Sequence, residues 1–211
     1  MSKNSLKPFL QMRLQKDRAG ILRTIKVTTA STMPDKLTMT GPEWRDMYLE
    51  AMEKTQTASN LNLIIDSRGG AFYSAAGMTD AILRFVKKRK LRIRILIDGA
   101  CGSAATYVCY AVGKEAACIQ MTEGSHVYIH MPKIYRYARK DGIWGLIQKV
   151  GKRSTIAAFA ELYKSRTGTD RKQILEWMES GKTFYAKEAL EYKFCDAITT
   201  RTAFEKEQEE A

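Results

Sequence analysis

Short apolar segments alternate with segments of helical periodicity along most of this chain. The runs at Leu61–Asp66, Ile93–Ile97 and Ala116–Gln120 have the length and the residue types of buried strands. Between the first two runs, apolar residues recur at helical spacing from Met78 to Val86. Strands that alternate with helices build β-α-β units, so this order predicts an α/β fold around a largely parallel sheet.

The 211 residues fit one domain, which we expect to span residues 21–200. Residues 1–20 are predicted to form a flexible basic N-terminal arm, and residues 201–211 a charged C-terminal tail that is frayed from Glu205 onward. Further strands are predicted at 21–27, 126–130 and 197–199, and further helices near 42–52, 103–112, 142–165, 171–178 and 186–192.

The formal net charge of +12 gives a surface that attracts anions, including nucleic acids. The basic run Lys87–Lys90 falls where a helix is predicted to end, and cations are favourable there. No nucleic-acid-binding motif accompanies this run, so the sequence favours a solvated helix end over nucleic-acid binding. No apolar run reaches the roughly 20 residues that span a bilayer, and no secretory signal is visible, so we expect a cytoplasmic protein without a membrane partner.

The four cysteines lie in apolar surroundings and include no Cys-x-x-Cys pair. This pattern favours buried free thiols over a disulfide or a metal site. The four positions are Cys101, Cys109, Cys118 and Cys195.

Two turns that follow predicted strands are rich in glycine and small residues, and α/β folds place their sites at such turns. The first, Asp66–Gly70, ends in a Gly-Gly pair. That pair suits a tight strand-to-helix turn, and it equally suits an oxyanion hole built from backbone N–H groups. The turn alone favours neither interpretation.

The second turn places Ser103 where a predicted strand ends and an apolar helix begins. A helix N-terminus supplies free N–H groups and favours negative charge, which suits a nucleophilic serine with small neighbours. Serine is also a common N-cap, and considered alone Ser103 fits that structural role better.

His130 ends an apolar strand two residues before Pro132. A lone histidine at such a position more often has a structural role than a catalytic one. The chain has two histidines, and the other is His126 at the start of the same strand. Any serine–histidine mechanism must therefore use one of these two residues.

In their order along the chain, these three segments resemble the proteolytic subunit of the Clp protease, a serine peptidase. The family pattern is Asn-Ser-Pro-Gly-Gly, then Gly-x-Ala-Ala-Ser, then His-x-Pro. The corresponding segments here, followed by two further matches, are Asp66–Gly70, Gly99–Ser103, His130–Pro132, Thr167–Gly168 and Ala186–Tyr192. The resemblance covers about residues 60–200, and the Ser103–Thr106 segment is most similar to divergent members encoded by phages and prophages.

The resemblance implies a ClpP/crotonase-like fold of repeated β-α-β units with a protruding helix-and-strand handle, here about residues 134–165. In the family this handle joins rings of subunits, and the corresponding segment here contains an apolar series of Ile143, Leu146, Ile147 and Val150. The expected assembly is therefore a ring-like homo-oligomer, either a heptamer or a stacked double ring. An ATPase unfoldase is the expected further partner.

The resemblance also assigns residues to the site. It implies Ser103 as the nucleophile, His130 as the general base, and the N–H groups of Gly70 and Ala104 as the oxyanion hole. It implies no metal and no other cofactor. The implied reaction is hydrolysis of peptide bonds through an acyl-enzyme.

The chain departs from the family pattern at three positions. Arg68 replaces the turn proline and adds charge beside Gly69, and both residues are expected to bind substrate. Gly102 replaces an alanine. The family's third triad member is an acid, and the aligned residue here is Gly181.

The absence of that acid raises the question of what orients His130. The nearest acid is Glu179, which we take as the candidate substitute, and a backbone carbonyl is the other candidate. We expect that either Glu179 approaches His130 or the imidazole lies out of register with Ser103.

The sequence therefore leaves two main functions open. One is a serine endopeptidase subunit that itself needs no ATP and acts on peptides or unfolded proteins inside an oligomeric chamber. The alternative is a catalytically weak or inactive structural subunit, because Gly181 offers no carboxylate. An acyl-CoA enzyme of crotonase type is disfavoured, since that fold works through carboxylates and not through a serine–histidine pair.

Overall fold

The computed structural model describes residues 9–16, 22–29, 60–69, 72–132 and 143–206. Within these residues the strands are β1 (Phe9–Lys16), β2 (Leu22–Thr29), β3 (Asn60–Ser67), β4 (Arg92–Gly102), β5 (Ala116–Thr122), β6 (His126–Tyr128), β7 (Thr183–Tyr185) and β8 (Ala197–Thr199). The helices are α1 (Phe72–Arg89), α2 (Ala104–Val112), α3 (Ile143–Thr167), α4 (Arg171–Ser180), α5 (Ala186–Glu191) and α6 (Arg201–Lys206).

The strands form one sheet with the order β2-β1-β3-β4-β5-β8. Parallel pairing joins β1 to β3, β3 to β4, β4 to β5 and β5 to β8, and only the outer strand β2 of this described path runs antiparallel, against β1. Parallel neighbours need crossover connections, which α1 and α2 supply between β3, β4 and β5. This mixed α/β architecture with a curled sheet confirms the predicted fold class.

Strand β4 changes its pairing partner along its length. Ile93–Ile97 pairs with β5, whereas Ala100–Gly102 pairs with β6. The change occurs around Gly99, whose φ of +125° is open to glycine and closed to most other residues. The sheet therefore branches, and β6, with β7 antiparallel to it, lies beside the last residues of β4.

The main core lies on one face of the sheet. Side chains alternate across a strand, so every second residue of β3 and β4 faces the helices. These residues pack with buried side chains of the helices and loops, and together they include Leu61, Leu63, Ile65, Ile93, Ile95, Ile97, Met78, Ile82, Val108, Tyr163, Trp177 and Phe194. The residues between them face the other side, where Ile64 and Leu96 form a small cluster with Phe204.

The N-terminal arm differs from the prediction. Residues 1–20 were expected to be flexible, yet β1 occupies Phe9–Lys16 and pairs with β2 and β3. Leu10, Met12 and Leu14 alternate with polar residues at the period of a strand. The prediction of a flexible arm rested on the basic charge of the segment and did not take this alternation into account.

The first part of the charged C-terminal tail is a helix, which the sequence did not indicate. Residues 201–206 form helix α6, and Phe204 is fully buried against Ile64 and Leu96. The guanidinium of Arg94 lies 4.3 Å from the centre of the Phe204 ring and donates a hydrogen bond of 3.2 Å to the Phe204 carbonyl. One buried aromatic side chain thus anchors a segment whose other residues look like a solvated tail.

The proposed handle is described only in part. Helix α3 covers residues 143–167, close to the predicted bounds, whereas residues 134–142 and the side chains of Ile143, Leu146, Ile147 and Val150 lie outside what the structure describes. The predicted helix near 42–52 lies outside the described residues as well. In the part of the chain that is described, no helix is both long enough and apolar enough to cross a membrane.

Candidate active site

The end of β4 is held by side chains of β3 and of the turn between β5 and β6. The Asp66 carboxylate accepts the N–H of Ala100 at 3.1 Å. The Ser125 hydroxyl accepts the N–H of Gly99 at 2.7 Å and donates to the carbonyl of Ile97 at 3.0 Å. These bonds fix the backbone where β4 leaves β5, three residues before Ser103.

Ser103 lies between β4 and α2 in a strained conformation. Its φ of 53° and ψ of −126° are rare for a residue with a side chain, and such a backbone costs about 1–3 kcal/mol and persists only where its surroundings fix it. Here the Ser103 N–H donates to the Tyr128 carbonyl at 2.9 Å. The Ser103 carbonyl accepts the Thr106 N–H at 3.0 Å and the Thr106 hydroxyl at 2.5 Å.

The Ser103 hydroxyl does not cap α2, although the residue occupies the N-cap position. Its Oγ instead lies 2.8 Å from Nε2 of His130. A cap was the structural role that Ser103 alone suggested, and the geometry places the hydroxyl elsewhere. Strained backbone at a small-residue turn and a hydroxyl directed at an imidazole are both typical of a nucleophilic serine.

The second ring nitrogen of His130 is also engaged. Its Nδ1 lies 2.7 Å from the carbonyl oxygen of Met131. A carbonyl can only accept a hydrogen bond, so in the neutral imidazole Nδ1 carries the proton and Nε2 is free to accept from Ser103. This is the tautomer in which histidine can act as a general base toward a serine hydroxyl.

The segment that carries His130 is bonded to the region where α4 ends. The Ile129 N–H donates to the Lys182 carbonyl at 3.0 Å, and the Met131 N–H donates to the Met178 carbonyl at 2.8 Å. The register of β6 against β4 and β7 pairs Tyr128 with Gly102 on one side and with Thr183 on the other. His130 is therefore bracketed by two backbone bonds, one on each neighbouring residue.

The Gly-Gly turn packs directly on the serine turn. A Cβ on Gly69, whose φ is +92°, would lie 2.7 Å from the Ser103 Cβ and 2.8 Å from the Ala104 nitrogen. A Cβ on Gly102 would lie 3.1 Å from the Arg68 carbonyl oxygen. Gly69 is needed for this close approach, and a Cβ at Gly102 would require a shift of a few tenths of an ångström, so the exposed Arg68 lies beside the serine turn.

Of the two proposed oxyanion-hole donors, the structure describes Ala104 and not Gly70. Ala104 is the first residue of α2, so its N–H has no acceptor within the helix. It follows Ser103 directly, where a nucleophilic serine would need donors to a developing oxyanion. Gly70 lies outside the described residues.

The structure does not bring the candidate substitute acid to the histidine. Glu179 is exposed near the end of α4, and among the described residues no hydrogen bond joins it to His130. The imidazole is also in register with Ser103, so neither of the two expected arrangements occurs. The second candidate from the sequence, a backbone carbonyl, is the group that His130 contacts.

Gly181 ends α4 in the left-handed conformation, with φ +68°, and its N–H donates to the Trp177 carbonyl. A Cβ at this position would lie 3.1 Å from the Tyr128 hydroxyl. The Tyr128 ring stacks on the His130 ring, with centres 5.1 Å apart and planes 22° apart. Sequence reasoning missed Tyr128, although residues two apart on a strand lie on the same face.

Cys101, two residues before Ser103, is not a competing nucleophile. Burial raises the pKa of its thiol well above the usual value, and the neighbouring Cys109 adds to the shift. Burial likewise raises the pKa of Cys195 to about 12. Since the thiolate is the reactive form, the raised pKa disfavours reaction at these thiols, which are buried and free as the sequence predicted for them.

A protein-family model described as Clp protease matches residues 27–202. The matched span contains the Gly-Gly turn, Ser103, His130 and Gly181. A comparison with the curated proteins found no match.

Proposed function

The chain belongs to the Clp protease family, and from that premise we propose that it is a serine-type endopeptidase that works with a Ser103–His130 pair. The observation that carries the proposal is the 2.8 Å contact between Ser103 Oγ and His130 Nε2, with Nδ1 on the Met131 carbonyl. The serine hydroxyl and its base are thus aligned in the resting structure.

The reaction follows from this geometry. His130 Nε2 removes the hydroxyl proton while Ser103 Oγ bonds to the peptide carbonyl carbon. The Ala104 N–H, with that of Gly70 in our proposal, binds the oxyanion. The imidazolium then protonates the leaving amine as the carbon–nitrogen bond breaks. Water attacks the acyl-enzyme, its proton passes to Nε2, and Ser103 is released with that proton restored.

The absence of a carboxylate at Gly181 weakens this chemistry. It does not remove the requirement that His130 be protonated at Nδ1, which can be met in another way. Replacing the acid of a serine protease by an amide costs roughly 10⁴-fold, and the cause is the wrong tautomer. The Met131 carbonyl imposes the right tautomer here. What is lost is the favourable interaction of a full negative charge with the imidazolium. A slow peptidase is therefore favoured over an inactive subunit.

The inactive structural subunit is the second candidate, and Gly181 is the residue that favours it. Hydrolysis of fluorogenic peptides separates the two candidates. We expect slow turnover that Ser103→Ala and His130→Gln abolish, whereas His126→Gln, at the other of the two histidines, retains it. No turnover by the assembled wild-type protein across a broad peptide panel would favour the structural subunit.

Peptides or unfolded proteins are the substrate class that we propose. Gly69 and Arg68 lie on the turn that packs against the nucleophile, so substrate in reach of Ser103 passes over them. The exposed Arg68 adds positive charge there, in a chain whose formal net charge is +12. No metal or other cofactor is part of the proposed mechanism.

The proposed setting is a ring-like homo-oligomer, since the family usually forms oligomeric rings. A heptamer or a stacked double ring joined through residues 134–165 is the form that we propose, with an ATPase unfoldase as a further partner. Processing of phage or prophage proteins in the cytoplasm is the proposed role. Light scattering tests the assembly, and a monomer at all micromolar concentrations would contradict it.

A further inference from the structure

We propose that Tyr128 is a positioning residue that orients His130 in place of the missing acid, and that glycine at position 181 is required to admit it. The proposal rests on the proposed peptidase function, which it deepens. A general base needs both the right tautomer and the right ring orientation. The Met131 carbonyl supplies the first, and the Tyr128 ring supplies the second.

The stacking geometry supports an orienting role. The two rings lie 5.1 Å apart at only 22° between their planes, so the Tyr128 ring faces the imidazole and opposes its rotation. The pair lies at positions i and i+2 of one extended segment, and such side chains share a face. The other histidine differs, because His126 meets Tyr185 at 6.0 Å and 51°.

Tyr128 is connected to the nucleophile as well as to the base. Its carbonyl accepts the Ser103 N–H at 2.9 Å, and its residue pairs with Gly102 in the β4–β6 register. One residue therefore contacts the backbone of Ser103 and the ring of His130. A shift of Tyr128 would change the distance between the hydroxyl and the imidazole, which is the distance on which proton transfer depends.

Gly181 and Tyr128 are complementary in space. A Cβ on Gly181 would lie 3.1 Å from the Tyr128 hydroxyl oxygen and 3.7 Å from its Cε2 atom. The phenol thus occupies the volume into which any side chain at 181 would extend. An aspartate there would have to displace the phenol before it approached His130. The glycine also holds φ at +68°, which disfavours other residues.

The kinetic test uses Tyr128→Ala, Tyr128→Phe, Gly181→Asp and the double variant Tyr128→Ala/Gly181→Asp. We expect Tyr128→Ala to lower kcat by about 100-fold with little change in KM, because the base is misplaced. Tyr128→Phe should recover most of that loss, since the ring remains. Tyr185→Ala, which removes the tyrosine beside His126, is the matched control and should not reproduce the loss.

Gly181→Asp gives the sharpest outcome. Alone it should fail to raise activity above wild type, because Tyr128 blocks the carboxylate. Combined with Tyr128→Ala it should raise activity above that of Tyr128→Ala alone, because the carboxylate then has room. Activity above wild type for Gly181→Asp alone, or wild-type kcat for Tyr128→Ala, would overturn the proposal.

A readout that does not depend on turnover separates this proposal from the proposed function. Long-range ¹H–¹⁵N spectra report the tautomer of each imidazole, and with two histidines His126→Gln assigns both signals. His130 should be protonated at Nδ1 in the wild type and in Tyr128→Phe. In Tyr128→Ala the imidazole is free to turn away from the Met131 carbonyl that fixes its tautomer, so its signal should become that of a tautomer mixture. An unchanged His130 signal in folded Tyr128→Ala would refute the positioning role even if the protein hydrolyses nothing.

Discussion

Replacing Gly69 by alanine tests whether the two turns must touch for the site to form. The new Cβ would lie 2.7 Å from the Ser103 Cβ and 2.8 Å from the Ala104 nitrogen, and it would also collide with the Gly102 carbonyl. These atoms are backbone atoms or the Cβ of Ser103, so none can rotate away. The turn or Ser103 has to move.

The magnitude has two parts. A left-handed backbone costs a residue with a Cβ about 1–2 kcal/mol, and overpacking of a filled site costs about 1–3 kcal/mol more. Gly69→Ala is thus expected to lower the free energy of unfolding by about 2–5 kcal/mol. Gly168 offers a matched control, because its φ is +72° and a Cβ there meets nothing within 4 Å. Gly168→Ala should show only the first part, about 1–2 kcal/mol.

Urea unfolding measures the free energy of unfolding of both variants. The rate of labelling by a fluorophosphonate measures how reactive Ser103 is in each of them. Gly69→Ala should label at least about 100-fold more slowly than Gly168→Ala, since small misplacements of reacting groups cost that much. Equal stability and equal labelling of the two variants would refute the close contact between the turns.

Two further predictions concern the residues that support the site and the sheet. Thr106→Val should lower the free energy of unfolding by about 1–3 kcal/mol and slow labelling of Ser103, because the buried Tyr163 hydroxyl loses its 2.6 Å partner. Thr106→Ser should restore both in urea unfolding and labelling assays, and if it behaves like Thr106→Val the hydroxyl is not the cause. Phe204→Ala should cost about 3–5 kcal/mol in urea unfolding, because it empties a fully buried site. A loss below about 0.5 kcal/mol, the range of ordinary surface substitutions, would show that α6 does not anchor the C-terminus.

The sequence predicted the parts of the fold that depend on local pattern. The apolar runs of β3 and β4 are largely buried because parallel strands are covered on both faces, whereas β5 is buried only from Ile119 to Met121. The two small-residue turns were predictable because they directly follow apolar strands that the sequence identifies. The segments that the sequence misjudged, β1 and α6, are rich in charge, and long-range pairing or one buried phenylalanine fixes them.

The candidate site likewise contains residues that the sequence could predict and contacts that it could not. Ser103 and His130 stand in recognisable motifs, so their pairing was foreseeable, although 27 positions separate them. The partner of Nδ1 is a backbone carbonyl, which no residue type encodes. The relation of Tyr128 to Gly181 depends on how the region after α4 lies against β6, and only the tertiary structure supplies that contact. The search for an acid near position 181 consequently led to Glu179, which is exposed.

The most direct test of the central claim is the site and rate of covalent modification by a fluorophosphonate, which reacts with activated serines. Intact mass and peptide mapping should find one adduct, on Ser103. His130→Gln should abolish it, and His126→Gln should leave its rate unchanged. An unmodified Ser103 in the folded wild-type protein, or equal labelling of the two histidine variants, would contradict the assignment of Ser103 and His130 as nucleophile and base.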